Sequence, residues 1–160
     1  MARTGWTLRE TLRTALVLAA LLPGCSGGAG AGSAFEGCEL VRVIDGDTLV
    51  AACGGHDYRV RLLRIDTPER GEPGFDEAGE ALRRMVEGRE LDLVFEVPGE
   101  PATDRYGRLL AYVLADGVDV NVEMVREGWS EFWTKYGRGR LADDFERADR
   151  EAEQRARRHR

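Results

Sequence analysis

Alternating apolar and polar positions divide much of the chain into short strands. The five strands that this alternation predicts are residues 40–44, 49–53, 58–65, 90–97 and 109–115. An Asp-Gly pair separates the first two strands, which favours a tight hairpin with Asp45 and Gly46 as its two turn residues. Gly54 and Gly55 supply the next turn, ahead of the third strand.

Apolar residues at helical spacing predict three helices, over residues 76–86, 120–127 and 141–158. Gly88 and Gly128 are the stop signals of the first two. The third helix is highly charged, and its few apolar positions form one narrow stripe: Leu141, Phe145, Ala148 and Ala152. We therefore expect it to lie on the surface with only that stripe buried.

The elements follow the order of three strands, a helix, two strands and then helices. This order is typical of a five-stranded barrel of the OB type with three helices, an α+β fold that is mainly β. We place this domain at residues 35–160. The barrel hosts many functions, so the fold class alone does not indicate what the protein does.

The first residues have a different character from the rest. Three arginines precede an apolar run at residues 14–22, which is too short to span a bilayer and fits the h-region of a secretory signal. Small residues before Cys25 resemble a bacterial lipoprotein cleavage site, which implies cleavage after residue 24 and lipid on Cys25. Residues 25–34 then form a flexible Gly/Ala/Ser-rich tether. The alternative is an ordinary signal peptide with an incidental cysteine.

These features predict a lipoprotein that is anchored to a membrane outside the cytoplasm, in the periplasm or on the cell surface.

The net charge of the chain bears on whether it can bind nucleic acid. The chain has 23 basic and 29 acidic residues, and the part after residue 24 has a net charge of −8. Proteins that bind nucleic acid usually have a basic footprint, so any such binding requires a local positive patch. A plain acidic soluble protein is the alternative.

Cys38 and Cys53 flank the predicted hairpin. If Asp45 and Gly46 are the turn residues, paired positions sum to 91, so these two cysteines face each other. An extracytoplasmic location permits a disulfide, which on the chain-entropy model is worth roughly 3 kcal/mol. Two free thiols are the alternative, and a one-residue slip of the hairpin would separate the cysteines onto opposite faces.

Carboxylates and arginines are the residues that can do chemistry here. Only two histidines occur, His56 and His159, so a histidine acid–base pair or a zinc site is improbable. Carboxylates hold a hard cation through oxygen, arginines bind phosphate in a planar fork, and a further carboxylate can act as a base. This combination suits the cleavage of a phosphodiester by an activated water.

Three segments then resemble the signature blocks of the staphylococcal nuclease (thermonuclease) family: residues 43–48, residues 61–69 and residues 103–108. Residues 121–128 resemble the second helix of the family. The resemblance runs from about residue 41 to about residue 156. It implies an enzyme that cuts DNA or RNA between phosphorus and the 5′ oxygen and leaves 3′-phosphate ends.

The resemblance also implies roles for single residues. Asp47 and Asp66 would bind calcium through their carboxylates, and Thr67 would add its backbone carbonyl. Glu69 would act as the general base or orient the attacking water. Arg61 and Arg108 would hold the phosphate and stabilise charge in the transition state.

Substrate contacts are implied as well. Arg105 and Tyr106 would contact a neighbouring phosphate, and Tyr136 would help form a base or sugar pocket by stacking. Thr134 departs from the family, because it stands where the type member has a pocket tyrosine. Other residues have structural interpretations. We expect Asp45 to shape the turn, Arg64 to be a solvated surface residue, and these aromatic residues to serve in packing: Trp129, Phe132 and Trp133.

The main hypothesis is therefore a membrane-tethered, calcium-dependent nuclease, expected to be a monomer, that acts on single-stranded or flexible DNA and RNA. The alternatives are a non-catalytic OB-type module that binds nucleic acid and an envelope interaction protein. The complete set of implied catalytic and metal residues favours the enzyme, because a binding module would be free to lose some of them.

Overall fold

The structure is a computed structural model, and it describes residues 34–158. The signal segment at residues 1–24 and the lipidation residue Cys25 lie outside the described residues. The strands are β1 (Ala34–Asp45), β2 (Thr48–Cys53), β3 (His56–Leu62), β4 (Leu91–Val94), β5 (Ala102–Thr103), β6 (Leu109–Ala115) and β7 (Val118–Asp119). The helices are α1 (Phe75–Val86), α2 (Val120–Glu127) and α3 (Ala142–Arg158).

Five of these strands close into a barrel. Antiparallel pairing runs in the order β3-β2-β1-β4-β6, and a parallel pairing of β3 with β6 closes the circle. The short strands β5 and β7 both pair with β6 and add to its two ends. The prediction of a five-stranded OB-type barrel with three helices is confirmed within residues 34–158. No helix in this part of the chain has both the length and the apolar character needed to cross a membrane.

The core lies inside the barrel and beneath the helices. Strand β6 is buried along most of its length, and helix α1 covers one end of the barrel with a fully buried face: Ala78, Ala81, Leu82 and Val86. Helix α3 packs on α2, and only Phe145 and Ala148 of α3 are buried. The predicted narrow stripe is therefore the packing surface of this helix. The ring of Phe132 stacks on that of Phe145 at 5.1 Å, as its packing role predicted.

The first hairpin turn lies one residue later than predicted. Asp45 pairs with Thr48, so the turn residues are Gly46 and Asp47 rather than Asp45 and Gly46. Asp45 still shapes the turn, because its Oδ1 accepts a hydrogen bond from the Asp47 amide at 3.2 Å. Asp47 is consequently a turn residue itself and projects from the end of the hairpin.

The disulfide prediction is confirmed despite the shifted turn. Cys38 and Cys53 are bonded, with their Cα atoms 4.5 Å apart. Two register irregularities in β1, between Leu40 and Arg42 and between Val43 and Asp45, bring the pairing back to the predicted sum of 91 at Leu40. β-Bulges of this kind are common in curved barrel strands.

Some strand ends also differ from the prediction. β1 begins at Ala34, six residues before the predicted start, because its first part pairs with β4. β3 ends at Leu62 rather than at residue 65, because Arg64 adopts a left-handed backbone conformation with φ of 66°. β4 ends at Val94, and the chain then turns sharply through the Val97–Glu100 bridge.

Candidate active site

A cleft of about 1010 Å³ opens at the end of the barrel where β3 and β6 meet. Its walls come from the first hairpin turn, the segment after β3, the β5–β6 turn and the segment between α2 and α3. All nine residues that the sequence predicted for metal, catalytic and substrate roles line this cleft: Asp47, Arg61, Asp66, Thr67, Glu69, Arg105, Tyr106, Arg108 and Tyr136.

Two carboxylates and one guanidinium group form the buried end of the cleft. Nη2 of Arg61 lies 3.1 Å from Oδ2 of Asp47 and 3.1 Å from Oδ1 of Asp66. The strand ladder places Asp47 and Arg61 together, because Thr48 pairs with Arg61 and Leu62 donates its amide to the Asp47 carbonyl at 2.9 Å. Two acidic groups therefore share one cation.

Asp47 is short of positive charge in this arrangement. Its side chain is only 10% exposed, and burial raises its pKa to about 6, against the opposing effect of Arg61. Thr48 and Thr67 donate hydrogen bonds to its two oxygens from their hydroxyls, at 2.9 and 3.4 Å. Neutral donors do not replace the missing charge, so the site is electrostatically suited to a further cation.

Tight packing fixes the position of this turn. A Cβ atom on Gly46 would lie 2.6 Å from Oγ1 of Thr67 and 2.7 Å from Cβ of Ala78. Only glycine therefore fits where the hairpin turn touches helix α1 and the segment after β3. This contact brings Asp47 beside Thr67, whose amide also donates to Asp47 Oδ2 at 3.3 Å.

Asp66 is the more open of the two carboxylates, with 48% of its side chain exposed. Its backbone is nevertheless fixed from the other side of the cleft. The Asp66 amide donates to Oγ of Ser130 at 2.8 Å, and the same hydroxyl lies 3.1 Å from the Asp66 carbonyl. Ser130 is buried and was not selected from the sequence. A serine in a loop carries no local signal for such a role.

Arg108 is oriented by the turn that precedes β6. Oδ2 of Asp104 accepts a hydrogen bond from Arg108 Nε at 2.7 Å, and Oδ1 accepts from the backbone amides of Tyr106 and Arg108. Although burial acts to raise it, these bonds lower the pKa of Asp104. Nη1 of Arg108 reaches Thr48 Oγ1 at 3.3 Å, so this guanidinium faces the same corner as Asp47.

The other predicted site residues of the cleft are exposed. Glu69 projects into solvent, and its backbone amide donates to Oε2 of Glu72 at 2.7 Å. Tyr106 is 65% exposed, and the guanidinium of Arg105 lies 4.7 Å from its ring centroid. Tyr136 is 72% exposed and contacts Trp133 edge-on at 5.2 Å. Trp133 thus lines the cleft as well as packing at the rim.

The cleft brings together one buried and one half-exposed carboxylate, fixed arginines and exposed aromatic rings. A family model described as Staphylococcal nuclease homologue matches residues 59–159. The chain belongs to this family.

Several curated members resemble it. SPbeta prophage-derived endonuclease YokF of Bacillus subtilis (strain 168) is 33% identical over 120 residues, which are 71% of this chain and 40% of that protein. Endonuclease YncB of the same organism is 37% identical over 95 residues, 56% of this chain and 44% of that protein. An uncharacterized endonuclease of Escherichia coli O157:H7 is 34% identical over 99 residues, 61% of each. The chain spans less than half the length of the first two relatives.

The buried corner fits the calcium ion that membership of the nuclease family implies. Oxygens of Asp47 and Asp66 both lie 3.1 Å from one guanidinium nitrogen of Arg61, so the two carboxylates face a common point. Oxygen donors are the ligands that calcium prefers. Within residues 34–158, no group of three or more His, Cys, Asp or Glu side chains gathers at one point. Backbone and water oxygens would therefore have to complete the coordination.

One prediction about this region is wrong. Arg64 was expected to be a solvated surface residue, but only 10% of its side chain is exposed, and its guanidinium forms an ion pair with Glu96 at 3.0 Å. Glu96 also accepts a hydrogen bond from Tyr112 at 2.5 Å. No local pattern predicts this cluster, because Arg64 follows β3, Glu96 follows β4 and Tyr112 lies in β6, and the three meet only in the folded barrel.

Proposed function

We propose that this domain is a calcium-dependent endonuclease that hydrolyses phosphodiester bonds in DNA and RNA. The observation that carries the proposal is the convergence of Asp47, Arg61 and Asp66 at the closed end of a cleft whose open walls are arginine and tyrosine. Membership of the nuclease family and the printed names of the relatives, which include two endonucleases of Bacillus subtilis, support it.

Asp47 and Asp66, with the backbone carbonyl of Thr67, would hold the calcium ion, which when bound neutralises charge on a phosphate oxygen. Arg108 is positioned to donate to the phosphate, because Asp104 holds its Nε and Thr48 its Nη1, which leaves Nη2 for a ligand. Nη2 of Arg61 pairs with both carboxylates and its Nη1 donates to the Leu62 carbonyl at 2.6 Å, so a phosphate would be bound by the N–H groups that remain on this guanidinium.

Glu69 is the base in this proposal. Its side chain is exposed at the edge of the cleft, where it can accept a proton from water. The oxygen of that water forms a bond to phosphorus while the bond from phosphorus to the 5′ oxygen breaks. The leaving 5′ oxygen takes a proton from solvent water, so the products are a 3′-phosphate end and a 5′-hydroxyl end. Arg61 and Arg108 stabilise the charge that develops on the phosphate oxygens.

Substrate binding relies on a local surface, since the chain as a whole is acidic. Arg105 and Tyr106 would contact a phosphate next to the cleaved one, and Tyr136 would stack on a base or sugar. Exposed rings need bases that have left a duplex stack. We therefore propose single-stranded or flexible DNA and RNA as substrates of a monomeric enzyme.

The proposal extends to where the protein acts, and the signal-like segment at residues 1–24 supports this part of it. We propose a lipid on Cys25 and a place outside the cytoplasm, which accords with the disulfide between Cys38 and Cys53. Replacement of Cys25 by serine should release the protein from membranes into the soluble fraction. Retention of the Cys25→Ser variant in washed membranes would contradict the anchor.

The activity is tested with a fluorescent single-stranded oligonucleotide, with calcium or with a chelator. We expect cleavage in calcium only, and 5′-hydroxyl products that polynucleotide kinase labels without prior phosphatase treatment. The variant Glu69→Gln should lose at least about 100-fold in kcat, the scale of a lost general base. Glu100→Gln is the matched control, because it removes the same charge from another exposed carboxylate of the cleft and should leave kcat unchanged.

Two outcomes would count against this proposal. No cleavage by pure protein in calcium would reject the enzyme and favour a non-catalytic binding module. Equal kcat values for the wild type and Glu69→Gln would remove Glu69 from the mechanism while leaving the activity in place.

A further inference from the structure

Two segments run side by side along one rim of the cleft: residues 63–67, which follow β3, and residues 129–141, which join α2 to α3. Ser130 bonds both backbone groups of Asp66, at 2.8 and 3.1 Å. The amide of Trp133 donates to the Arg64 carbonyl at 2.9 Å. Residues 129–141 are therefore hydrogen-bonded to residues 63–67, the segment that carries two of the proposed calcium ligands.

The Arg64 side chain adds two further hydrogen bonds to this attachment. Its Nη1 donates to the carbonyls of Tyr136 and Gly137 at 2.9 and 2.8 Å, and its Nη2 donates to Oε2 of Glu96 at 3.0 Å. A planar guanidinium can serve both carbonyls and the carboxylate at once, which a lysine ammonium on a flexible stem does with less directional control. Arg64 thus joins the end of β3 to a turn more than seventy residues later in the chain.

The surroundings of Arg64 are built to hold it there. Glu96 is itself fixed by the Tyr112 hydroxyl at 2.5 Å and by the Arg140 amide at 2.9 Å. A Cβ atom on Gly139 would lie 2.5 Å from Nε of Arg64 and 2.7 Å from the Tyr112 hydroxyl. The turn therefore closes directly over the guanidinium, and Nε is buried there without a hydrogen-bond partner among the described residues.

The turn held in this way carries the aromatic side of the cleft. Trp133 and Tyr136 contact each other edge-on at 5.2 Å, and the ammonium of Lys135 lies 5.7 Å from the Trp133 ring centroid. The Tyr136 ring has few contacts of its own, since 72% of the residue is exposed. Arg64 binds the main-chain carbonyl of Tyr136 and so holds the backbone that carries this ring.

We infer that Arg64 is a positioning residue, which orders the turn at residues 133–137 as the wall against which bases of the nucleic-acid strand stack. The inference rests on the proposed function for the nature of the ligand. It assigns Arg64 to substrate binding rather than to chemistry, because the guanidinium makes no contact with the carboxylates of the buried corner.

Arg64→Asn tests this inference. Asparagine accepts the left-handed backbone conformation of this position better than most residues, so the variant removes the guanidinium without adding backbone strain. Tyr112→Phe is the matched control, because it removes a hydrogen bond to the same Glu96 carboxylate but leaves Arg64 bound to the turn. Backbone hydrogen exchange of peptides covering residues 133–140 reports the order of the turn without any substrate.

We expect Arg64→Asn to speed exchange at residues 133–140 and to raise KM for a single-stranded oligonucleotide about tenfold, the size of one lost base stack, with kcat within about twofold of the wild type. Tyr112→Phe should lower the melting temperature and leave KM unchanged. A purely structural role of Arg64 would give the same result in both variants.

Unchanged exchange and KM in Arg64→Asn would overturn the inference. Faster exchange with unchanged KM would overturn it too, because the turn would then be no part of the substrate surface. If the wild type neither binds nor cuts the oligonucleotide, the proposed function fails and the substrate part of the inference fails with it. The exchange measurement still decides in that case whether Arg64 orders the turn.

Discussion

Two arginine–carboxylate clusters lie three residues apart on the same segment and have opposite electrostatic character. The first joins Arg61 to Asp47 and Asp66, and the second joins Arg64 to Glu96. Both guanidinium side chains are 10% exposed. Burial of the arginines therefore does not distinguish the two clusters. They differ in the burial of the carboxylate, since the Asp47 side chain is 10% exposed and that of Glu96 is 32% exposed, and in the number of donors that each carboxylate has.

In the first cluster two carboxylates compete for one cation, and burial raises the pKa of Asp47 to about 6. In the second cluster one carboxylate has several donors. Although burial acts to raise it, hydrogen bonds from Tyr112 and Arg64 lower the pKa of Glu96. A buried cluster in which two carboxylates share one cation is suited to bind a further cation, whereas a cluster whose carboxylate has several donors stabilises the fold.

The largest expected difference between the clusters is in activity. Asp47→Asn should lower kcat by at least about 100-fold, the scale on which an active site loses one pre-organised charge. Tyr112→Phe, which alters the saturated cluster, should keep the kcat of the wild type. Rates on a single-stranded oligonucleotide in calcium measure both. Full activity of Asp47→Asn would contradict a role of the first cluster in catalysis.

A smaller difference is expected in stability. Glu96→Gln should lower the free energy of unfolding by about 3 kcal/mol, because the buried Arg64 guanidinium loses its anionic partner. Asp47→Asn should be neutral or stabilising in chelator at pH 7, since Arg61 keeps Asp66 and an uncompensated buried charge disappears. Urea unfolding curves of the three proteins decide this. Equal losses in both variants would show that the clusters do not differ in charge balance.

The smallest expected effect is in the pH dependence of stability. Asp47 has a raised pKa, so the folded state binds its proton more tightly, and its contribution falls as pH rises from 3.8 to about 6. Glu96 has a lowered pKa, so its contribution is present above its ordinary value of 4.5 and is lost as pH falls through the folded pKa.

In chelator, the advantage of Asp47→Asn over the wild type should therefore grow between pH 4 and 6, by on the order of 1 kcal/mol. The deficit of Glu96→Gln should shrink below pH 4.5. Unfolding free energies measured across this range test both slopes. If the differences in unfolding free energy between each variant and the wild type stayed constant with pH, the opposite pKa shifts of Asp47 and Glu96 would be contradicted.

Local patterns explain which parts of the fold could be predicted. Strand alternation, helical spacing and glycine stops are properties of neighbouring residues, and they located the ends of the barrel strands and helices to within three residues, except for the start of β1, which lies six residues earlier. The hairpin turn was misplaced by one residue because a β-bulge has no reliable local signal. The disulfide prediction survived because the irregularities within β1 compensate for that shift.

The residues of the candidate site also divide into those with a local sequence signal and those without one. The site's carboxylates and arginines occur in short segments that resemble a family, so they could be selected from the sequence and the structure brings them into one cleft. Arg64, Glu96 and Ser130 could not be selected. Their importance depends on partners that are distant in the chain, such as the 32 residues that separate Arg64 from Glu96.

The parallel pairing of β3 with β6 also determines when a working cleft can exist. Arg61 pairs in register with Leu110, and Arg108 stands immediately before β6, so the two arginines approach each other only when this seam forms. Pairings between such distant strands carry a high entropic cost and set the pace of folding. A partly folded chain holds every residue of the site and yet has no cleft, so recovery of ligand binding during refolding marks the closure of the barrel.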